Sequence, residues 1–178
     1  MMEGMAGLEG MEQPRQPGTG VVARWGPGAE DERTAEAHRV AARALAEYGN
    51  PAEQDVRLPS LPQSAALARR LTQWVVLRDW KLGPQISEHA VLLVSELVGN
   101  AVRHTGARVF TLRMHRRRGR IRIEVRDPSR GLPCLMPVHE LDTSGRGLFL
   151  VDKLSDRWGV DLAPRGKTVW FEMRVIDR

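Results

Sequence analysis

The chain has 178 residues, of which 42% are hydrophobic and 28% charged, and a formal net charge of +5 at pH 7. This length suits one globular domain with appendages and a sizeable buried core. The sequence contains no apolar run long enough to span a bilayer and no signal-peptide pattern, so we expect a cytoplasmic protein that does not enter a membrane. The single cysteine, Cys134, excludes an internal disulfide and a cysteine-ligated zinc site.

Residues 1–57 are predicted to form a flexible N-terminal extension. Residues 1–30 are rich in Gly, Met, Pro and Glu, a composition typical of disordered or loosely attached segments. Residues 34–48 have the spacing of a weakly amphipathic helix, which Gly49-Asn50-Pro51 ends. The sequence leaves open whether this helix packs on the domain or binds a partner. An extended, proline-punctuated lead-in over residues 57–62 places the start of the domain near residue 58.

Two helices are predicted to open the domain, which we assign to residues 58–178. The first covers residues 64–80, with Ser64 as its N-cap. The second covers residues 86–104, and Glu96 and Asn100 project from it one turn apart. That pair fits either a solvated surface or a buried polar site. The apolar stripe of the second helix, which is expected to face the core, consists of Ile86, Ala90, Leu93, Leu97 and Ala101.

The hydrophobic period then changes to two, which is typical of strands. Residues 109–114 and 121–126 are predicted to form a hairpin with one covered and one charged face. The basic cluster over residues 113–122 fits either a solvated hairpin or a nucleic-acid contact, and the lack of interleaved aromatic residues favours the first. A short helix opens at residues 145–148, and residues 160–162 and 168–175 form the last two strands. This order predicts an α+β fold with a mostly antiparallel sheet and its helices on one face.

Four features of this arrangement point to one chemical task, the binding of a nucleotide. Glycines at the start of the short helix leave backbone amides free to approach a phosphate. The carboxylate of Asp127, at a strand end, can accept a hydrogen bond from an exocyclic amine and so favour adenine over guanine. Asn100 offers a hard oxygen that suits Mg²⁺, and Glu96 can accept a proton from an attacking hydroxyl. Each feature alone has an ordinary structural explanation, but together they favour a nucleotide site.

Three motifs resemble those of the GHKL ATPase and kinase superfamily, which has the Bergerat fold, a two-layer α/β sandwich. The segment Glu96-Leu97-Val98-Gly99-Asn100-Ala101 is similar to the N box, Asp127-Pro128-Ser129-Arg130-Gly131 to the first glycine box, and Gly145-Arg146-Gly147-Leu148 to the second. Within that superfamily, Arg157-Trp158-Gly159 and Gly166-Lys167-Thr168-Val169-Trp170 resemble the anti-sigma-factor serine/threonine kinase branch. The resemblance covers residues 58–176. One departure is Ser129, which stands where the first glycine of its box is expected.

The resemblance assigns roles to individual residues. It implies that Asn100 coordinates Mg²⁺ and that Glu96 is the general base. It implies that Asp127 binds the adenine amine with support from Thr168, and that residues 132–144 form a lid over ATP. Arg103 and His104 would lie near the phosphates, and Arg146 would either join them or face solvent. The remaining nucleotide-binding positions that the resemblance implies are Gly131, Gly145, Gly147 and Leu148.

The function that the resemblance implies is regulatory. The chain would use ATP and Mg²⁺ to phosphorylate a small anti-sigma-antagonist protein of the STAS type, would sequester a sigma factor in transcription regulation, and would form a homodimer. The alternative is a catalytically silent module that binds proteins in a nucleotide-dependent way. A histidine kinase fragment is disfavoured because no upstream helical hairpin with a phosphoacceptor histidine is evident. Nucleic-acid binding through the basic cluster is the remaining alternative.

Overall fold

The computed structural model describes residues 27–104, 106–128 and 146–175. Disorder or loose attachment was expected for residues 1–30; residues 1–26 lie outside these ranges, and residues 27–30 form the beginning of the first helix. Within them, the structure contains α-helices, a π-helical continuation of the second helix and strands, in this order: α1 (Pro27–Tyr48), β1 (Val56–Pro59), α2 (Pro62–Trp74), the π-helical segment (Val75–Asp79), α3 (Pro84–His104), β2 (Val109–Arg117), β3 (Arg120–Asp127), α4 (Arg146–Leu154), β4 (Arg157–Ala163) and β5 (Gly166–Arg174). None of the helices in these ranges has the length and hydrophobicity needed to cross a lipid bilayer.

The strands form one five-stranded sheet in the order β1-β2-β3-β5-β4, and every neighbouring pair is antiparallel. Alternation along each strand places one set of side chains under the helices and the other on the open face. This confirms the predicted α+β fold with an antiparallel sheet. The buried set on the three central strands consists of Phe110, Leu112, Met114, Ile121, Ile123, Val125, Val169, Phe171 and Met173.

Helix α3 lies over the sheet and contacts β3, β5, α2 and α4. Its predicted apolar stripe is buried at Ala90, Leu93, Leu97 and Ala101, while Ile86 is partly buried against the core. Burial of a large aliphatic side chain contributes about 1.5–3 kcal/mol, so this stripe fixes which side of α3 meets the sheet. Glu96 and Asn100 are half-buried beside it.

The expected lead-in before the domain is an edge strand. Residues Val56–Pro59 pair with β2 from Val56 opposite Leu112 to Pro59 opposite Val109, and Val56 and Leu58 are buried. Proline is tolerated there because the outer side of an edge strand needs no N–H donor. The expected domain boundary at residue 57 therefore falls inside a strand.

Helix α1 packs on the domain, which answers the question that the sequence left open. It ends at Tyr48 because Gly49 adopts a left-handed conformation (φ +94°) and its N–H donates to the Leu45 carbonyl at 2.8 Å. Ala41 and Ala44 are buried, and α1 contacts α2. At its outer side, the ring of His38 meets Trp74 edge to face, with centroids 5.8 Å apart.

The predicted N-cap role of Ser64 is wrong. Helix α2 begins at Pro62 with Leu61 at the N-cap position and no side-chain cap. Proline suits the first turn of a helix because its φ is already helical and its missing N–H is not needed. Ser64 consequently lies inside the helix, buried, and its hydroxyl has no hydrogen-bond partner among the described residues.

Candidate functional site

The polar residues singled out from the sequence belong to elements that meet along one edge of the sheet. This edge is formed by strand ends: β3 finishes there, and β2 and β5 begin there. Strand β3 ends at Asp127, directly opposite Lys167 near the start of β5. Strand β2 starts beside the same end of β3, because Thr111 pairs with Arg126. Helix α3 ends at His104, only a few residues before β2. The last turns of α3, with Asn100, therefore lie toward the edge that carries Asp127.

Asp127 is a buried carboxylate on the helix-covered face of the sheet. Its Oδ2 lies 3.4 Å from Nζ of Lys167, and the two side chains are 2% and 6% exposed. Buried charges are rare unless they are paired, because desolvation strongly disfavours an isolated ion. Gly166, the first residue of β5, contacts the backbone of Asp127 and Pro128. This contact holds the beginning of β5 against the end of β3.

Thr168 does not reach the position that the resemblance implies for it. The register pairs it with Arg126 on one side and Asp161 on the other, so it lies on the opposite face of the sheet from Asp127. A shift of one residue in a strand moves a side chain to the other face. The structure places Lys167 beside Asp127 instead.

The residue that sequence reasoning missed is thus Lys167. A signal for it was present in the alternation of β5, in which Lys167, Val169 and Phe171 occupy every second position. The last two are apolar and buried. The same period of two assigns Lys167 to the covered face.

On α3, the structure brings Arg103 to Asn100. The Arg103 Nη2 donates a hydrogen bond to Asn100 Oδ1 at 3.3 Å. The guanidinium also lies back over Gly99, where an added Cβ would be 3.2 Å from both of its terminal nitrogens. Glu96 is half-buried one helical turn before Asn100, and no described contact links it to Arg103.

The other predicted site residues lie at helix ends or outside the described residues. Gly131, Gly145 and the expected lid over residues 132–144 lie outside the described residues. His104 is the last residue of α3. The residues Arg146, Gly147 and Leu148 form the first turn of α4, which contacts α3 and buries Val151.

The open face of the sheet carries a network of ion pairs centred on Arg122. Its guanidinium contacts Glu124, Asp161 and Glu172, and its Cζ lies 3.9 Å from the centroid of the Trp170 ring. Partial burial lowers the pKa of Arg122, but the hydrogen bond and charge of Glu124, the hydrogen bond of Glu172 and the charge of Asp161 together outweigh burial and raise it. The network therefore joins β3, β4 and β5 on their exposed side.

A shallow groove of about 300 Å³ lies next to this network. It is lined by His115, Arg117, Arg120, Arg122 and Glu172. The Trp170 ring rests on Gly159 of the neighbouring strand, where an added Cβ would be 2.7 Å from the ring. Arg122 of β3 and Gly159 of β4 both contact the ring, so the Trp170 side chain packs against both neighbouring strands.

Comparison with known proteins assigns the fold to a family. Residues 58–173 match the family model described as histidine kinase-like ATPase domain. A solved structure of the histidine kinase domain from the Erythrobacter litoralis EL346 blue-light activated histidine kinase is 20% identical, with a TM-score of 0.42, over 81% of this chain and 74% of that chain. A structure of the EL346 blue-light activated histidine kinase is 17% identical, with a TM-score of 0.43, over 83% of this chain and 50% of that chain.

No curated protein sequence matches the chain. The family match nevertheless extends over most of the chain, from β1 to the penultimate residue of β5. An ATPase domain implies ATP binding. On this match, the chain belongs to the family of histidine kinase-like ATPase domains.

Proposed function

We propose that the chain binds Mg-ATP at the Asp127 edge of the sheet and transfers the terminal phosphoryl group to a serine or threonine of a small protein partner. The observation that carries the proposal is the buried carboxylate of Asp127, which lies at the edge of the sheet toward which Asn100 and the end of α3 are directed. Strand β3 then supplies, through Asp127, an acceptor for the base, and helix α3 supplies polar groups for the phosphates.

Asp127 is the proposed contact for the adenine base. An ionised carboxylate only accepts hydrogen bonds, so it suits the exocyclic amine of adenine. Its position on the covered face, between the sheet and the helices, is one from which water is largely excluded. A hydrogen bond to a charged group is worth about 1.5–3 kcal/mol in such surroundings.

Asn100 is the proposed protein ligand for Mg²⁺. The ion usually takes few protein ligands and completes its shell with phosphate oxygens and waters, and the amide oxygen of Asn100 is a ligand of the required hard type. When bound, Mg²⁺ would neutralise charge on the phosphates. Arg103 now donates to that same oxygen. We expect its guanidinium to turn toward the phosphates on binding and so release Oδ1 to the metal.

Glu96 is the proposed general base. It lies one helical turn before Asn100, on the same side of α3, and its side chain is half-buried rather than solvated. From there, its carboxylate can accept the proton of an attacking hydroxyl group while Asn100 helps to hold the phosphates. Phosphoryl transfer depends mainly on such positioning and on neutralisation of charge.

The identity of the partner follows from the resemblance to the anti-sigma-factor kinase branch. We infer an anti-sigma-antagonist protein of the STAS type as the phosphoryl acceptor, a sigma factor as the sequestered partner, and a homodimer as the working unit. The alternative is a silent, nucleotide-dependent binding module. It draws support from the ion pair of Asp127 with Lys167 and the hydrogen bond of Asn100 with Arg103, which occupy both proposed ligand groups in this structure.

Two measurements test the proposal in sequence. Calorimetric titration should show binding of Mg-ATP in preference to Mg-GTP. The affinity should fall by about tenfold to hundredfold in Asp127→Ala, the loss expected for one charged hydrogen bond. Binding to Asn100→Ala should no longer depend on Mg²⁺. A wild-type chain that binds no ATP would contradict the proposal.

The second measurement separates the kinase from the silent module. Transfer of label from γ-labelled ATP to a panel of purified STAS-domain proteins should occur with the wild type and disappear in Glu96→Gln, while ATP binding persists. Glu88→Gln, an exposed position two turns earlier on α3, is the matched control and should keep full transfer. ATP binding without transfer by the wild type would favour the module.

A further inference from the structure

We propose that the groove on the open face of the sheet is a binding site for a small anion of the phosphate class, separate from the nucleotide site. The groove has a volume of about 300 Å³ and is lined by His115 and Arg117 of β2, Arg120 and Arg122 of β3, and Glu172 of β5. Four of these residues belong to the basic cluster of residues 113–122, which has no part in the proposed function.

Strand register concentrates arginines at the end of the sheet where this groove lies. Arg117 is directly opposite Arg120 in the β2–β3 pair, and Arg120 is directly opposite Arg174 in the β3–β5 pair. Alternation along the strands places all three side chains on the open face. Like charges directly opposite each other in a sheet are destabilising. Arg174 has a carboxylate partner, because its Nε lies 3.5 Å from Asp156 Oδ1.

The charge of the other two arginines is incompletely balanced. Glu172 Oε2 lies 3.7 Å from Nη1 of Arg120, but Glu172 Oε1 pairs more closely with Arg122, at 3.3 Å. Arg117 is exposed, and no described contact links it to a carboxylate. Because Arg117 and Arg120 both line the groove, an anion bound there would supply the missing negative charge.

Arg120 also carries an unused hydrogen-bond donor. Its Nη1 atom is buried and has no hydrogen-bond partner among the described residues, since Glu172 lies beyond hydrogen-bonding distance. A buried donor without an acceptor carries a desolvation cost. The side chain as a whole is 36% exposed, so its guanidinium can turn toward the groove and donate to an anion there. Binding would then relieve this cost.

The set of donors suits a tetrahedral oxyanion. A guanidinium presents its N–H groups as a planar fork that matches two oxygens of a carboxylate or a phosphate, and Arg117 and Arg120 approach the groove from neighbouring strands. His115 adds a ring that has at least one N–H donor in either protonation state. A carboxylate has only two oxygens to share among these groups. A phosphate has enough oxygens for both guanidinium groups and the imidazole.

The size and surroundings of the groove favour a small anion over nucleic acid. Liquid water occupies about 30 Å³ per molecule, so the groove has room for phosphate or pyrophosphate with part of its hydration shell. Single-stranded nucleic acid is usually held on aromatic rings that stack with bases, but the Trp170 ring on this face is packed between Arg122 and Gly159. Glu124 follows Arg122 on the same face of β3 and would repel a phosphate backbone.

The groove is remote from the edge at which ATP binding is proposed. Arg120 begins β3 and Asp127 ends it, so the two residues lie roughly 20–25 Å apart along the strand. Asp127 also lies on the covered face, whereas the groove is on the open face. An anion in the groove therefore cannot contact a nucleotide at the Asp127 edge, and the inference does not depend on the proposed function.

Calorimetric titration of the full chain with inorganic pyrophosphate and with inorganic phosphate, in the absence of Mg²⁺, tests the inference. Pyrophosphate should bind at one site and more tightly than phosphate, because it has more charge and more oxygens. Acetate at the same ionic strength should show no saturable binding. Arg117→Met and Arg120→Met should each weaken pyrophosphate binding by about tenfold or more, the loss expected for one charged hydrogen bond.

Two control variants locate the site. Arg126→Met removes the same charge from the same face of β3, but at the other end of the strand, where Arg126 is exposed. Asn100→Ala alters the edge at which nucleotide phosphates are proposed to bind. Both variants should bind pyrophosphate as the wild type does. Equal weakening in Arg126→Met would show attraction by net charge alone, and lost binding in Asn100→Ala would assign the anion to the nucleotide edge.

The remaining outcomes also decide for or against the site. A wild-type chain without saturable binding of either anion would overturn the inference and would leave ATP binding, which is measured separately, unaffected. Tighter binding of a single-stranded oligonucleotide than of pyrophosphate, with loss in Arg117→Met, would make this face a nucleic-acid surface instead.

A second measurement keeps the test decisive if Arg120→Met does not fold. Arg120→Lys keeps the charge but loses the planar fork, so it should retain part of the affinity, and Arg117 is exposed enough for its substitution to be tolerated. In the wild type, pyrophosphate should shift the backbone amide resonances of residues 115–122 and of Glu172, and not those of residues 96–104. Unchanged affinity in Arg117→Met and Arg120→Lys together, or shifts confined to residues 96–104, would refute the site.

Discussion

A Cβ atom on residue 166 would lie 2.2 Å from the carbonyl oxygen of Asp127 and 2.7 Å from Cα of Pro128. Gly166 also has a φ of +109°, in a region that L-residues with side chains rarely adopt. Both conditions require glycine at this position. Because the contact is main chain against main chain, it fixes the ends of β3 and β5 next to the Asp127–Lys167 pair.

Gly166→Ala should therefore destabilise the chain and impair the site together. We expect a loss of about 3 kcal/mol or more in the free energy of unfolding, because backbone strain and a backbone clash combine. Urea denaturation measures the first effect, and calorimetric titration with Mg-ATP the second. Gly106→Ala is the control, since φ is +60° there but nothing lies within 4 Å of an added Cβ. Its loss should stay near the conformational cost of about 1 kcal/mol, and an equal loss in both variants would contradict the role of the contact.

Ser64→Ala should leave the stability unchanged or raise it by up to about 1 kcal/mol. The Ser64 hydroxyl is buried without a hydrogen-bond partner in the described part of the chain, so its removal relieves a desolvation cost. A serine that capped the helix would show the opposite, a loss of about 0.5–2 kcal/mol. The thermal unfolding temperature of Ser64→Ala shows whether the stability rises or falls and so distinguishes the two cases. Thr72→Val, at another buried hydroxyl without a partner among these residues, should behave in the same way.

Arg122→Met should destabilise the sheet by about 1–3 kcal/mol. The substitution leaves Glu172 and Glu124, which are only 17% and 23% exposed, without their shared cation. It also removes the guanidinium that covers the Trp170 ring. Arg39→Met is the matched control. Its ion pair with Glu36 is exposed on both sides and should contribute less than about 0.5 kcal/mol, so similar urea midpoints for the two variants would contradict this account.

Ala44→Asp should weaken the attachment of α1 to α2. Ala44 is 5% exposed and belongs to the buried core on which α1 packs, and a carboxylate there would be buried without a partner of opposite charge. We expect faster hydrogen exchange in α1 and a lower unfolding temperature. Ala42→Asp places the same residue on the exposed side of α1, so both variants carry the same change in helix propensity. Equal exchange rates in the two would show that α1 does not depend on this buried contact.

The features that depend on local spacing could be predicted from the sequence. The three- and four-residue spacing of Ala90, Leu93, Leu97 and Ala101 predicted which face of α3 is buried, and the structure buries all four. Alternation between residues 109 and 126 predicted the hairpin and its covered face, which β2 and β3 display. A strand that ends at Asp127 was expected from Pro128, and β3 ends there.

The errors concern short or ambiguous local signals. Strand β1 was missed because only Val56 and Leu58 carry its alternation, and Pro59 interrupts it. Ser64 suggested a cap because Ser is a strong N-cap residue, but Pro62 begins the helix two positions earlier. In both cases a proline was misinterpreted: Pro59 is tolerated at the end of an edge strand, and Pro62 begins a helix. Whether a proline interrupts an element or is accommodated in it depends on its place in the fold.

The sequence by itself determined the helices, the central hairpin, the fold class and the presence of a carboxylate at the end of β3. These depend on the order of neighbouring residues, which sets the period of burial along each element. Only the tertiary structure decided that Lys167 rather than Thr168 meets Asp127, that Val56–Pro59 completes the sheet, and that α1 packs on α2. Pairing between distant segments depends on register, and a shift of one residue exchanges the two faces of a strand.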